Sequence, residues 1–424
     1  MSRTKEYILF ITNISKRGTV AVKKYNETMG KNYQIIVIRD KNKKNWDKVA
    51  EKRNIYKLLT CDFNSPQSIE RSLAPYKTSI KAATFYGDVN APFAKKIVPH
   101  IPFVLMPTAQ SLEWATDKIA MRQFFEVHDK TITPPFIVVK DADEKSIEQI
   151  IKKIGFPLVI KPAGLAASLL VTMCYHEDEL RSSLKKTLRK VKKIYLENKR
   201  SIAPKILVEQ FMEGDMYSID AYVDRHGHAQ FCPLVYVKTG KAIGFDDFFG
   251  YLRLTPTQLK ESTKEKAEHV AMKAIQALNL RSTIAHIELM RTEEGWKIIE
   301  LGPRMGGFRH DMYVLSYGID HDMNDLRIHL GEKPIIPKKL KSYVAVLQFF
   351  AKKEGQLQKI KGVRKITAVA SLKEMDIHIK PGEKCLFAKH GGKSVCDIVL
   401  SNINRSELLA DIRRIEQMID IQAI

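Results

Sequence analysis

Two glutamates set symmetrically about a turn are the residues of this 424-residue chain best placed to do chemistry. The stretch 282–291 is apolar and β-prone, 292–295 reads as a turn, and 296–301 reads as a second strand. With the hairpin centred near Glu294, Glu288 and Glu300 are equidistant from the centre. They then face each other across the strands with Cβ atoms roughly 5 Å apart. Opposed carboxylates call for a cation between them. Two oxygen ligands at that separation suit Mg²⁺ or Mn²⁺, which takes carboxylates together with substrate phosphates. The alternative is a solvated charge pair on an exposed sheet face, with Ile287, Leu289, Ile299 and Leu301 as the buried face. Beyond Glu300 the chain runs Gly302-Pro303-Arg304-Met305-Gly306-Gly307 and then Phe308-Arg309-His310. The glycines allow backbone to approach a ligand closely. Arg304 and Arg309 supply forked donors for phosphate or carboxylate. The whole segment reads as a site for an anionic, metal-bound substrate, in which Arg309 and His310 clamp a substrate carboxylate.

The elements that hold these residues belong to a soluble protein of two or three domains. Apolar content is 44% and charged content 28%, ordinary values for a globular chain. No run of about 18 apolar residues is present, so no membrane association is expected. Five scattered cysteines form no CxxC or zinc spacing, which points to reduced thiols and a cytoplasmic location. The net charge of +22 fits nucleic acid, a membrane surface or anionic substrates. Its densest segment, 181–200, carries Leu180, Leu184, Leu188, Val191 and Tyr195 at helical spacing. That makes it an amphipathic helix with a solvated basic face, lacking the aromatic residues that stack on bases. No nucleic-acid partner is expected.

Strand and helix signals alternate over the first 105 residues. Strands are expected at 7–12, 33–38 and 82–86, with helices at 20–28, 45–53 and 65–76, which implies a parallel sheet with helical crossovers. Gly87-Asp88 follows the last strand, where open α/β sheets bind ligands. A helix capped by Ser111 or Thr116 runs through Lys118 to Phe125. Next come a strand at 136–139, a helix at 145–154, a strand at 158–161, a loop at 162–168 and a strand at 169–175. Beyond the basic helix lie strands at 205–211, 217–223 and 230–237, then a strong helix at 264–280. The tail carries strands at 342–350, 363–371 and 396–402 and closes with a helix at 406–421, a candidate homodimer contact. Asp246 and Asp247 lie on a loop near the site, suited to holding an amino group or capping a turn.

In this order the motifs resemble the ATP-grasp superfamily of carboxylate–amine ligases, closely over about 108–331. Asp117-Lys118 resembles the first phosphate-binding lysine segment, and Phe156-Pro-Leu-Val-Ile-Lys161-Pro162 the strand bearing the second. Leu207-Val-Glu209-Gln210-Phe211-Met212-Glu213-Gly214 resembles the adenine hinge, Glu288 and Glu300 the metal ligands, and Arg304 the arginine after them. The resemblance implies an N-terminal parallel α/β domain at 1–107 and a central ATP-grasp domain of two α+β subdomains at 108–336, with an ATP lid at about 130–208. A β-rich C-terminal region at 337–424 completes the α/β and α+β chain. It implies ATP and Mg²⁺ as cofactors and small-molecule carboxylate and amine substrates. In these roles Lys118 and Lys161 contact the α- and β-phosphates, Glu209 accepts from the adenine amino group, and the backbone of Gln210 to Met212 meets the adenine edge. Arg304 stabilises the transferring phosphoryl group. Three departures stand out. The loop 163–170 has one glycine where relatives have several, although Ser168 keeps the usual loop hydroxyl. Met216 stands at the place of a ribose-binding glutamate, with Asp215 beside it. Gly302 stands where an asparagine often completes the metal shell. The Arg304-Met-Gly-Gly ending most resembles the L-amino-acid ligase branch. Purine-pathway or biotin-carboxylase-like members, or a degenerate nucleotide-binding module, are the alternatives.

Overall fold

The computed structural model describes residues 5–43, 54–163, 169–197 and 204–424. The helix expected at 45–53 and Ser168 lie outside the described residues. Four parallel strands open the chain: β1 (Glu6–Ile11), β2 (Tyr33–Asp40), β3 (Lys57–Cys61) and β4 (Ile80–Thr84), in the order β3-β2-β1-β4. β3 escaped the sequence reading because only Leu59 and Cys61 of its five residues are buried, which leaves too short an alternation to recognise.

A second sheet of four antiparallel strands follows: β5 (Phe136–Val139), β6 (Leu158–Pro162), β7 (Thr172–Cys174) and β8 (Ile206–Gln210), ordered β5-β8-β6-β7. β7 is shorter than the strand expected at 169–175, because Leu170 turns the chain at a φ of 59°. The helix Glu177–Glu197 packs its stripe of Leu180, Leu184, Leu188, Val191 and Tyr195 on this sheet, as its periodicity predicts.

The third sheet has nine strands and carries the site. In chain order they begin with β9 (Asp215–Val223), β10 (Ala229–Phe231), β11 (Val235–Thr239), β12 (Gly250–Thr255), β13 (Thr283–Thr292) and β14 (Gly295–Gly302). The tail supplies β15 (Tyr343–Phe349), β16 (Gly355–Lys361), β17 (Leu372–Ile377), β18 (Lys384–Cys385), β19 (Cys396–Asn402) and β20 (Asp420–Ala423). The sheet order is β14-β13-β9-β11-β12-β15-β19-β17, with β10 beside β9, so one sheet runs across residue 337; β18, β16 and β20 form a separate small sheet. The single strand expected at 230–237 is two, interrupted where Pro233 has no N–H to give a ladder. The strand expected at 363–371 is instead a helical turn, Val363–Ile366, entered through Gly362 at a φ of 87°. Val363, Ile366 and Val369 recur every third residue, a helical spacing that buries Ile366. The closing helix Arg405–Met418 lays Leu408, Ile412 and Ile415 on the chain's own sheet. Among the described residues no helix is long and apolar enough to cross a membrane.

Candidate active site

The hairpin β13–β14 pairs Glu288 directly with Glu300. A two-residue turn alone would not do this. Thr292 faces Gly295 and Leu289 faces Ile298, and that register continued would set Glu288 against Ile299. A one-residue bulge after Ile298 restores the glutamate pair. It also replaces Ile299 by Ile298 on the buried face, a correction to the expected core. The bulge is held from the helix Lys118–Asp129, where Arg122 donates from Nη1 to Ile298 O at 2.9 Å and from Nη2 to Ile299 O at 2.7 Å.

That helix begins where the sequence left a choice. Asp117 is its N-cap, accepting from the backbone N–H of Ile119 at 2.8 Å and of Ala120 at 3.2 Å; Ser111 and Thr116 belong to a separate helix, Ala109–Thr116, capped by Thr108. Lys118 is therefore the first helical residue, and its Nζ lies 2.6 Å from Glu300 Oε1. An ammonium already occupies the side of the carboxylate pair that a metal cation would neutralise.

Lys118, Lys161, Glu209 to Met212, Asp215, Glu288 and Glu300 line one cavity of about 490 Å³ between the four-stranded β5–β8 sheet and the nine-stranded sheet. Within it, Glu209 is fully buried rather than free to meet a base. Its carboxylate is bonded by Arg122 through Nε and, at 3.2 Å, Nη2, and by Lys161 Nζ at 2.5 Å. Burial opposes ionisation there, but Arg122 and Lys161 outweigh it and hold the carboxyl at about 2. The backbone N–H groups of Gln210 and Phe211 are bonded to Pro135 O and Pro157 O, at 3.0 Å each.

Glu288 is also ionised against burial. His286, Arg304 and Lys118 together keep its carboxyl at about 2. His286 sits between two carboxylates, with Nδ1 2.6 Å from Asp220 Oδ1 and Nε2 3.6 Å from Glu288 Oε1. Burial disfavours its charged form, but Asp220 prevails and raises its pKa. The sign follows from linkage. Stabilisation by charged His286 is complete below the ordinary histidine value of about 6.5 and is lost as pH rises through the folded-state value. Denaturant midpoints of the protein should therefore fall from pH 6 towards pH 9, and His286→Gln should flatten that slope; an unchanged slope in the variant would contradict the assignment.

Arg304 is bridged by Asp88, which lies just beyond β4 of the N-terminal sheet, Nε to Oδ1 at 2.9 Å and Nη2 to Oδ2 at 2.6 Å. Gly302 makes room for this, because a Cβ there would lie 2.9 Å from Asp88 Oδ1. Gly306 is demanded in the same way, since a Cβ would lie 2.5 Å from His286 Nδ1; its N–H donates to Asp220 Oδ2 at 2.8 Å. Arg309, buried in the first turn of the helix Arg309–Ser316, donates to Gly307 O at 3.1 Å and to Ser218 Oγ. His310 is turned away from the site and lies 2.9 Å from Asp322, so it does not join Arg309 in a clamp. Asp247 is a turn cap, accepting from Phe248 N at 2.7 Å and Lys389 N at 3.0 Å, while Asp246 pairs with Lys389 Nζ. Neither aspartate lines the cavity.

Sequence reasoning missed Arg122, although a signal exists. Arg122 stands three residues from Ile119 and three from Phe125 on the buried stripe of its helix, where a lone charge needs a partner.

Residues 154–311, which span Lys161, the hinge, both glutamates and Arg304, match the ATP-grasp domain family. Among curated relatives, the chain is 26% identical over 244 residues to the alanine–anticapsin ligase of Bacillus subtilis (strain 168), covering 51% of this chain and 50% of that protein. It is 28% identical over 175 residues to the D-alanine–D-alanine ligase of Thermoanaerobacter sp. (strain X514), covering 39% and 44%. It is 25% identical over 284 residues to an uncharacterized protein, y4rH, of Sinorhizobium fredii, covering 65% and 54%. The chain thus spans about half the length of the curated relatives it matches. In fold it is similar to the L-amino acid ligase from Bacillus licheniformis, with a TM-score of 0.77 and 18% identity over 100% of both chains. It is also similar to the phosphoribosylglycinamide synthetase from Anaerococcus prevotii, with a TM-score of 0.66 and 16% identity over 99% and 100%.

Proposed function

We propose that this protein is an ATP- and Mg²⁺-dependent ligase that activates a carboxylate as an acyl phosphate and joins it to an amine, with an amino acid or amino-acid-like molecule among its substrates. The observation that carries the reading is the Glu288–Glu300 pair opening on the same cavity as Lys118 and Lys161. The alanine-ligating activities named for its relatives support the substrate class.

The chemistry follows from charge. A carboxylate oxygen attacks the γ-phosphorus of ATP, the bond to the bridging oxygen breaks, and ADP leaves. The amine nitrogen then attacks the acyl carbon, loses a proton, and expels phosphate. Both steps gather negative charge around transferring oxygens, so catalysis needs fixed positive charge more than a covalent group. Lys161 and Lys118, paired with Glu209 and Glu300 in the resting site, are the cations for the triphosphate. Glu288 and Glu300 would hold Mg²⁺, or Mn²⁺ in its place, which when bound neutralises phosphate charge. Arg304, oriented by Asp88, would stabilise the phosphoryl group in transfer. In the hinge, where Pro135 and Pro157 already take the N–H groups of Gln210 and Phe211, adenine would meet the rest of the Gln210–Met212 backbone, with Glu209 acting through Arg122 and Lys161 to fix the strand. Asp215 lies at the cavity wall for the ribose. Five unpaired, buried cysteines support a cytoplasmic setting.

The test is release of ADP and phosphate from ATP–Mg²⁺ across a matrix of amino-acid and other carboxylate–amine pairs. Release that requires both co-substrates is expected. Release with water alone, or AMP as product, would contradict the reading.

A further inference from the structure

We infer that Arg253 and Arg309 form an anion subsite beside the paired glutamates, which takes a carboxylate of one of the two molecules being joined. The inference rests on the ligase reading and adds to it the charge of a substrate.

Register places Arg253 on the same face of the nine-stranded sheet as Glu288. Glu288 on β13 faces Ser218 on β9, Ser218 faces Val235 on β11, and Val237, two residues on, faces Arg253 on β12. Arg309 descends onto this row from its helix and bonds Ser218. Arg253 donates to Gly250 O at 3.0 Å and to Gln348 Oε1 at 2.7 Å, and its guanidinium lies 5.3 Å from the centre of the Phe308 ring. Phe308 sits in the left-handed region at a φ of 62°, unusual for a large side chain and a mark of local strain held in place by its surroundings.

What sets this pair apart is its partners. Arg122 and Arg304, the other arginines of the site, each have a carboxylate: Glu209 and Asp88. Among the described residues, Arg253 and Arg309 make no ion pair. Every acceptor they have is neutral, and the buried Arg309 Nε has none. The two cations also repel each other. Burial and then the Arg309 charge bring Arg253 down to about 10. The carboxylates whose charge Arg253 feels, Glu288 and Asp397, are engaged elsewhere, Glu288 with His286, and Asp397 with His378, Ser394 and Gln348. A buried Arg309 and a half-buried Arg253 with only neutral acceptors are costly, and a planar carboxylate received between two forks removes that cost.

That carboxylate has two sources, the amine substrate or a second acid group on the activated substrate. The experiment measures phosphate release in the wild type, Arg253→Gln and Arg253→Lys. Amino acids are compared with their α-amides as amine substrates, and succinate and glutarate with their half-amides as carboxylate substrates. The wild type should prefer the acid form in one of the two series by about tenfold or more, through KM, as expected for a charge-assisted bond. Arg253→Gln should bring that preference close to one, and Arg253→Lys should restore part of it. The series in which this happens identifies the source. An acid-to-amide ratio unchanged by Arg253→Gln in both series would overturn the subsite. Absence of release with any pair would overturn the ligase reading instead. The subsite is then read by thermal stability in succinate and glutarate, which should rise in the wild type and not in Arg253→Gln; equal rises would overturn it.

Discussion

Replacing Glu288 by glutamine should cost about a hundredfold or more in ATP-dependent phosphate release while leaving the fold intact. The side chain keeps its shape but loses the charge that His286, Arg304 and Lys118 sustain at about 2. Because that carboxyl is ionised across the whole working pH range, its loss cannot be mimicked by mild acid, and the acid limb of any activity profile should belong to another group. Glu300→Gln should show the same loss with an even smaller effect on stability, since the Glu300 side chain is 44% exposed and its partner Lys118 can turn to solvent. Activity measured at saturating Mg²⁺, alongside thermal unfolding, checks both. Full activity in either variant would remove the glutamates from the metal-holding role.

Glu209→Ala should act in the opposite way, on stability first. The Glu209 side chain is 2% exposed and compensates Arg122 and Lys161 together. Without it two cations remain in the cavity wall, a loss of about 3–5 kcal/mol for a broken buried ion pair. The damage should spread, because Arg122 also holds the bulge that sets Glu288 against Glu300. A lowered apparent unfolding temperature, partly restored by ATP binding between the two sheets, is the expected outcome. A variant as stable as the wild type would show that solvent reaches the pair.

How much of this was legible in the chain depends on how far each signal had to reach. The glutamate pair was readable because strand period and turn are local. The bulge that makes the pairing work was not, since its cause is Arg122, more than 170 residues away in the chain. Lys118, Lys161 and the segment 209–212 were singled out by their order, and they line one cavity. The true role of the Glu209 side chain was hidden, because a buried triad gives no local pattern. Asp88 was noticed only as a strand-end residue; that it orients Arg304 depends on how the first sheet docks. The helices Arg309–Ser316 and His321–His329 were missed altogether, for a related reason. Asp320, Asp322 and Asp325 look like solvent-facing residues in the sequence. The N-terminal sheet and its first helix cover them, with Lys24 on Asp320, Arg17 near Asp322 and Thr84 on Asp325. Tertiary partners there override the polar pattern that hydrophobic periodicity depends on.

In the proposed reaction ATP is spent on a carboxylate through its γ-phosphate. With a productive pair in hand, the decisive measurement uses a carboxylate substrate labelled with ¹⁸O in both oxygens and mass analysis of the released phosphate. An acyl phosphate route moves one labelled oxygen into inorganic phosphate at every turnover. Unlabelled phosphate, with the label retained in the acid or found in AMP, would contradict the account.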